Sequence, residues 1–304
     1  MIEFNQNCLR KRPFICEIER KINKLTEVLL SGAMQPDPSK IDELLRIAAR
    51  EELLPRLASV KRSVKADGSL LTEADLAINT RLSEELTQYW PDIKLLSEES
   101  SPDEQRDLLQ TPPPLFWCMD PLDGTSNFAA GLPFFAVSLA LIEKGQSTLG
   151  IIHDPIRDES FIAVKGRGAT CNGKPLILEP VNIPLKCSIA LVNFKRLDTQ
   201  LGLRLIQSPP YGSQRNYGAC ALEWAWLAAG RGDIALYGGQ KIWDIAAGSL
   251  IFTEAGGVCT TLSGEEFLNL TLDPCSISMI AARDHSLFTA WYNWLTSQSA
   301  ASPA

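Results

Sequence analysis

The sequence predicts an α+β / α/β chain built of layered sheets and helices, and three observations carry that reading. The 304 residues are 45% hydrophobic and 21% charged, an ordinary globular composition with enough apolar side chains for a large core. The middle of the chain is a series of short strands joined by tight turns, which makes neighbours antiparallel. The later part alternates strand and helix, and an antiparallel half followed by an alternating half is resolved most simply as stacked layers.

The elements follow in order. Residues 1–37 read as an N-terminal extension, with an amphipathic helix over 18–30 broken by Ser31-Gly32 and Pro36-Asp37-Pro38. Met34, just before the compact part, is expected to be the true start. The compact body spans 38–304, with an antiparallel half over about 38–180 and an alternating half over about 181–304. It opens at Ser39-Lys40-Ile41-Asp42, which reads as a capping box, followed by Ile41, Leu44, Leu45, Ile47, Ala48 and Leu54 at helical spacing. A second helix is predicted over 72–89 and a short strand over 93–96, running into Ser97-Glu98-Glu99-Ser100. A polar, proline-rich loop comes next, then a buried strand over 115–119 that delivers the chain to Asp120. Strands are predicted over 135–142, 148–153 and 160–164. Beyond them lie strands over 188–192, 234–237, 258–261 and 276–281, with helices over 219–229, 245–254 and 287–294. Gly256-Gly257 provides a helix stop.

Charge and composition exclude several classes. The formal net charge is −7 and no block of Lys and Arg stands out, so nucleic acid and acidic membrane surfaces are poor partners. No apolar run approaches the ~20 residues that span a bilayer, and no secretory leader is evident. The eight cysteines are scattered without a paired motif, which fits a reducing cytosol. With only two histidines, a His/Cys zinc site is a poor fit.

The chemistry lies in the acids Asp75, Glu98, Glu99, Asp120, Asp123 and Asp244, each at the edge of a regular element. Each has a structural reading as well. Asp75 closes a capping box with Thr72; Asp244 can be an N-cap; Asp123-Gly124 can be a turn; Glu98-Glu99 can be a solvated strand end. Together they point to metal. Asp120 and Asp123 flank Pro121-Leu122 directly after a buried strand, with Pro121 stiffening the backbone and Gly124 letting it turn. That geometry aims two carboxylates and the Leu122 carbonyl at one point. Hard cations such as magnesium take all-oxygen shells, and close carboxylates repel unless a cation lies between them. The backbone N–H groups of Thr125 and Ser126 then sit as at a helix N-terminus, suited to phosphate oxygens.

These residues resemble the inositol monophosphatase family, within the lithium-sensitive, magnesium-dependent phosphatases. The resemblance runs from about Ser39 to the C-terminus. Its motifs are Trp117-Cys118-Met119-Asp120-Pro121-Leu122-Asp123-Gly124-Thr125-Ser126-Asn127-Phe128, Trp243-Asp244-Ile245-Ala246-Ala247-Gly248, Leu71-Thr72-Glu73-Ala74-Asp75 and Ser97-Glu98-Glu99-Ser100. It implies an α-β-α-β-α sandwich of the sugar-phosphatase type, assembled as a homodimer. It further implies two to three magnesium ions, replaceable by manganese, with lithium inhibitory. Glu98, Asp120 and the Leu122 carbonyl would ligate the first ion, and Asp120, Asp123 and Asp244 the second. Asp75 with Glu98 would hold a third through water. Thr125 would act with Glu98 on the attacking water, and the Gly124 and Thr125 N–H groups would hold the phosphate of a small phosphorylated substrate. No covalent phosphoenzyme is implied.

Substrate choice departs from the family pattern. The run that opens the substrate-side helix reads Gly218-Ala219-Cys220 and lacks the usual hydroxyl. Tyr237 stands where animal relatives place an acid that binds inositol hydroxyls, with packing in the core as its other reading. Arg215 is placed to reach a second phosphate or a sugar, or to lie on the surface. Inositol monophosphate or a similar alcohol phosphate is the leading substrate. Sister activities on 3′-phosphoadenosine 5′-phosphate, fructose 1,6-bisphosphate or histidinol phosphate share the same metal motifs, and a catalytically silent binding protein is a further alternative.

Overall fold

The computed structural model describes residues 36–57, 62–64, 70–264 and 277–297. The helix expected over 18–30 and Met34 lie outside the described residues. The elements belong to the unit Pro38–Ala304, the second of two into which the chain divides.

Helix α1 (Pro38–Ala48) begins one residue before the expected Ser39 cap. Proline suits the first turn of a helix, where its missing N–H leaves no bond unmade. The helix runs on through a π turn (Ala49–Leu53) and a 3-10 turn (Leu54–Arg56). A short antiparallel pair, β1 (Arg62–Val64) and β2 (Leu70–Thr72), leads into α2 (Glu73–Tyr89), which Thr72 caps in a box with Asp75. Strand β3 (Lys94–Ser97) follows, then α3 (Pro102–Gln110) where the sequence reading expects a loop. The correction has a local cause: Ser101 and Glu104 form a capping box around Pro102 in the first turn.

Strands β3, β4 (Leu115–Asp123), β5 (Ala136–Glu143), β6 (Gln146–Asp154), β7 (Glu159–Val164), β8 (Ala169–Cys171) and β9 (Lys174–Leu176) form a seven-stranded sheet in chain order. Only the β3–β4 pairing is parallel, because α3 provides the crossover that a parallel pair needs. A five-stranded sheet comprises β10 (Ile189–Asn193), β11 (Ser213–Arg215), β12 (Ile234–Gln240), β13 (Val258–Thr261) and β14 (Ile277–Ala282), in the order β11-β10-β12-β14-β13. Helices α5 (Thr199–Gln207), α6 (Cys220–Ala228), α7 (Ile242–Glu254) and α8 (His285–Thr296) are threaded among these strands; the short α4 (Thr125–Ala130) follows β4. The sequence pattern does not signal the short strands β1, β2, β8, β9 and β11 or helix α5.

Side-chain alternation along the strands sets the layers. Trp117, Met119, Val137 and Leu139 point to one face of the large sheet and pack under α1 and α2 with Ile41, Leu45, Ile78 and Leu82. Phe116, Cys118, Ala136 and Ala140 point to the other face, against α6 and α7. Those helices also meet the inner face of the small sheet through Ala235, Tyr237, Met279 and Ala281. The outer face, with Val192, Ile234, Leu236 and Ile280, is covered by Leu205 of α5 and by Leu287 and Trp291 of α8. The order is α-β-α-β-α. Helices α6 and α7 lie between two sheets, which explains why they are apolar around most of their circumference.

Trp224 occupies the centre of that middle layer. It is fully buried, with its ring centroid 5.3 Å from Tyr237 on the sheet and 5.6 Å from Phe252 on α7. Trp224→Ala is expected to cost about 3–5 kcal/mol of stability, measured by urea unfolding. A loss below about 1 kcal/mol would contradict this packing role.

Candidate active site

Strand β4 stops pairing regularly where the chemistry begins. Asp120 faces Ser138 and Asp123 faces Ala136, so β4 carries one more residue than β5 between those pairs. Pro121 has no N–H to give to the ladder, and the Leu122 N–H turns back to Asp120 Oδ1 at 3.0 Å. Gly124 then adopts φ +90°, a left-handed conformation, and α4 begins. A Cβ at this position would stand 2.9 Å from Ala219 Cβ and 3.1 Å from the Phe134 carbonyl, so packing demands glycine as strongly as the backbone does.

The structure brings Glu98, Asp120 and Asp244 together: one carboxylate oxygen from each lies within 4.8 Å of the others. Glu98 comes from the end of β3, where its N–H donates to the Met119 carbonyl at 3.1 Å. Asp244 is the third residue of α7 rather than its N-cap, and its Oδ2 accepts the Lys241 N–H at 2.9 Å. Asp120 is buried, and its carboxyl is pushed well above the usual range by burial and then by Glu98, Asp123 and Asp244. Burial and Glu98 push Asp244 up to about 7, against the opposing pull of the Lys241 N–H and the Arg196 and Lys241 charges. A crowded, all-oxygen donor set of this kind fits a hard divalent cation.

Asp123 and Asp75 stand outside this trio. Both Asp123 oxygens accept backbone N–H groups, from Cys220 at 2.9 Å and Leu222 at 3.1 Å, at the first turn of α6. Burial and the Asp244 charge nevertheless push its carboxyl up. Asp75 Oδ2 accepts the Thr72 N–H and hydroxyl, and Oδ1 accepts the Thr125 hydroxyl at 3.0 Å. Asp75 therefore caps α2, as one of its readings has it, and with its other oxygen it holds Thr125. The Thr125 hydroxyl also lies 3.1 Å from the Leu122 carbonyl.

Next to this cluster lies an open pocket of about 310 Å³, lined in part by Asp123, Ser126, Gly218, Cys220 and Asp244. Ala219 is the N-cap of α6 and is buried; its Cβ meets Gly124 instead of the pocket. Tyr237 corrects the sequence expectation. It is fully buried beside Trp224, and its hydroxyl faces Glu223 without a hydrogen bond of ordinary geometry. Its place on β12 points it into the middle layer, so the polar wall of the pocket comes from Gln240 instead. Arg215 is not a pocket residue either: its guanidinium donates to Ser213 Oγ and the Gln214 carbonyl.

Sequence reasoning missed several residues that shape the site. Asn127 donates to the Phe134 and Tyr217 carbonyls, both at 2.7 Å, and locks α4 to the Gly218 turn. Buried Glu223 accepts the Tyr217 and Gly218 N–H groups at 2.6 and 3.0 Å, and burial raises it to about 7 despite them. Asn193, Lys195, Arg196 and Asn216 complete the pocket wall. Asn127 lay inside a quoted motif and was open to notice; the others carried no local pattern.

The fold and site together define a class: layered α+β proteins with a carboxylate cluster at the strand end, suited to a divalent cation beside an open pocket. The inositol monophosphatase family model matches residues 39–297, and the chain belongs to that family. Among its relatives, the Nus factor SuhB of Pasteurella multocida is 36% identical over 220 residues, covering 70% of this chain and 80% of that protein. Inositol monophosphatase 1 of Solanum lycopersicum is 35% identical over 212 residues, covering 67% and 76%. The solved IMPase of Thermotoga maritima aligns with a TM-score of 0.71 at 28% identity, covering 84% of this chain and 96% of that one.

The raised acids give the metal-free protein a defined pH response. A carboxyl titrating near 7 in the folded state holds a proton that the unfolded chain releases near 4, so stability falls as pH rises towards and through 7. His153, lowered by burial to about 4, has the opposite effect, but only below its unfolded value near 6.5. Chelator-treated protein is therefore expected to lose melting temperature between about pH 6.5 and 8, and a divalent cation should restore it at pH 8. A melting temperature that is flat or rises over this interval would contradict the site's electrostatics.

Proposed function

We propose that this chain is a magnesium-dependent phosphomonoesterase acting on inositol monophosphate or a similar small alcohol phosphate. The observation that carries the reading is the Glu98–Asp120–Asp244 cluster set beside the Thr125–Asp75 hydrogen bond and an open pocket. Glu98, Asp120 and Asp244 would hold the ions, with the Leu122 carbonyl and Asp123 at the margin of the site. Bound there, magnesium or manganese supplies charge neutralisation for the phosphate and makes a nearby water more acidic.

The chain's own groups do the rest. The single hydrogen of the Thr125 hydroxyl is engaged by Asp75 and the Leu122 carbonyl, so its oxygen lone pairs are left to accept a hydrogen bond from the attacking water and orient it. Glu98 orients the same water and takes its proton. The N–H groups of Gly124 and Thr125 open α4 and have no partner within the helix, which suits them to phosphate oxygens. Ser126 is exposed at the pocket and adds a hydroxyl there. We further propose a homodimer in a reducing cytosol, inhibited by lithium. The name Nus factor belongs to the SuhB relatives; the intact carboxylate cluster is what supports hydrolysis by this chain. Among the described residues no helix is long and apolar enough to cross a membrane.

Phosphate release from a panel of monoesters with magnesium tests the reading. Asp120→Asn is expected to lower turnover by about 100-fold or more while circular dichroism stays unchanged. Thr125→Val is expected to lower kcat by roughly 10²- to 10⁴-fold, since it removes the oxygen that orients the water whose proton Glu98 takes. Near-normal activity in either variant would overturn the assignment of that residue, and no hydrolysis by the wild type would overturn the reading itself.

A further inference from the structure

We infer that Lys195 and Arg196 form a second anion subsite, so that the preferred esters carry another anionic group, phosphate or carboxylate, on the alcohol. The inference rests on the phosphatase reading and, within its small alcohol phosphates, favours esters with a second anionic group over inositol monophosphate. Both residues line the pocket that also holds Asp123 and Asp244. Several arginines outside the pocket are neutralised: Arg46, Arg81, Arg157 and Arg231 all sit in ion pairs. Lys195 and Arg196 pair with no carboxylate among the described residues. The nearest acid in the chain, Asp198, commits Oδ1 to the Gln200 and Leu201 N–H groups at the start of α5.

The loop is held in place. Arg196 Nη1 donates to the Gly239 carbonyl at 2.8 Å, and the Lys195 N–H donates to Asn193 Oδ1 at 2.9 Å. Gly238 permits the approach: a Cβ there would lie 2.7 Å from the Leu197 nitrogen and 2.8 Å from the Arg196 carbonyl carbon. The Gly238-Gly239 pair therefore has a structural purpose, since it lets β12 receive the loop that carries the two cations. An Arg fork anchored at one nitrogen and an adjacent flexible ammonium suit a phosphate or carboxylate. Arg196 also lowers the Asp244 carboxyl, so the test must separate anion recognition from an effect on the carboxylate cluster.

The test compares kcat/KM for fructose 1,6-bisphosphate and for glycerol 2-phosphate, in wild type and in K195Q/R196Q, with magnesium. The ratio of the two values is expected to fall about tenfold or more in the variant. An effect through Asp244 would lower both values together and leave the ratio unchanged. A ratio within about twofold of wild type overturns the subsite. Calorimetric binding of fructose 1,6-bisphosphate with calcium in place of magnesium provides a second readout, independent of turnover. Binding weakened about tenfold in K195Q/R196Q supports the subsite even if the wild type hydrolyses neither ester, in which case only the phosphatase reading fails. Equal binding by both proteins, or none by the wild type, overturns it. Both side chains are exposed, and K195Q alone should shift the ratio in the same direction.

Discussion

Three carboxylates held within 4.8 Å of one another repel, and the fold keeps them together. Two unit charges 4 Å apart at an effective dielectric near 20 interact by roughly 4 kcal/mol. In the metal-free protein burial, and after it this repulsion, raises the carboxyls of Asp120 and Asp244. Each member comes from a different element: Glu98 from the end of β3, Asp120 from the break in β4, and Asp244 from the first turn of α7. The parallel β3–β4 pairing and the packing of α7 between the sheets are therefore conditions for the site. A rearrangement that relaxed the acids would have to break one of them.

The middle layer transmits that constraint to the pocket. Asp123 is tied to the first turn of α6, Asn127 ties α4 to the Tyr217 carbonyl, and Glu223 ties the Tyr217-Gly218 turn to α6 itself. A carboxylate that accepts two helix N–H groups also complements the helix dipole. These links fix the pocket wall from the carboxylate side. The Arg196–Gly239 contact fixes it from the other, through the second sheet.

Much of this was legible in the residues, for identifiable reasons. The alternation of Phe116, Trp117, Cys118 and Met119 marks a strand with two buried faces, and Asp120 to Gly124 marks its end, because local chemistry specifies both. Thr72 and Asp75 were equally clear, since a capping box lies within four residues. Helix α3 was legible too, in Ser101 and Glu104, but nearby prolines outweighed them. What escaped depends on distance in sequence. Tyr237 follows a family position, yet only the register of β12 determines that it turns into the core. Lys195 and Arg196 sit in a loop with no motif, and reach the pocket only because Gly238 lets that loop pack closely. The neighbours of Asp123 suggest a ligand, but they carry no sign of its bonds to Cys220 and Leu222, which span about a hundred residues.

The central claim is that these carboxylates exist to hold a divalent cation. Crystals soaked in manganese and measured for anomalous scattering test it most directly. An anomalous peak is expected, bonded to Glu98, Asp120 and Asp244 at the mouth of the pocket. A crystal that shows those three carboxylates in place with no peak among them, at a manganese concentration that saturates ordinary carboxylate sites, would contradict it.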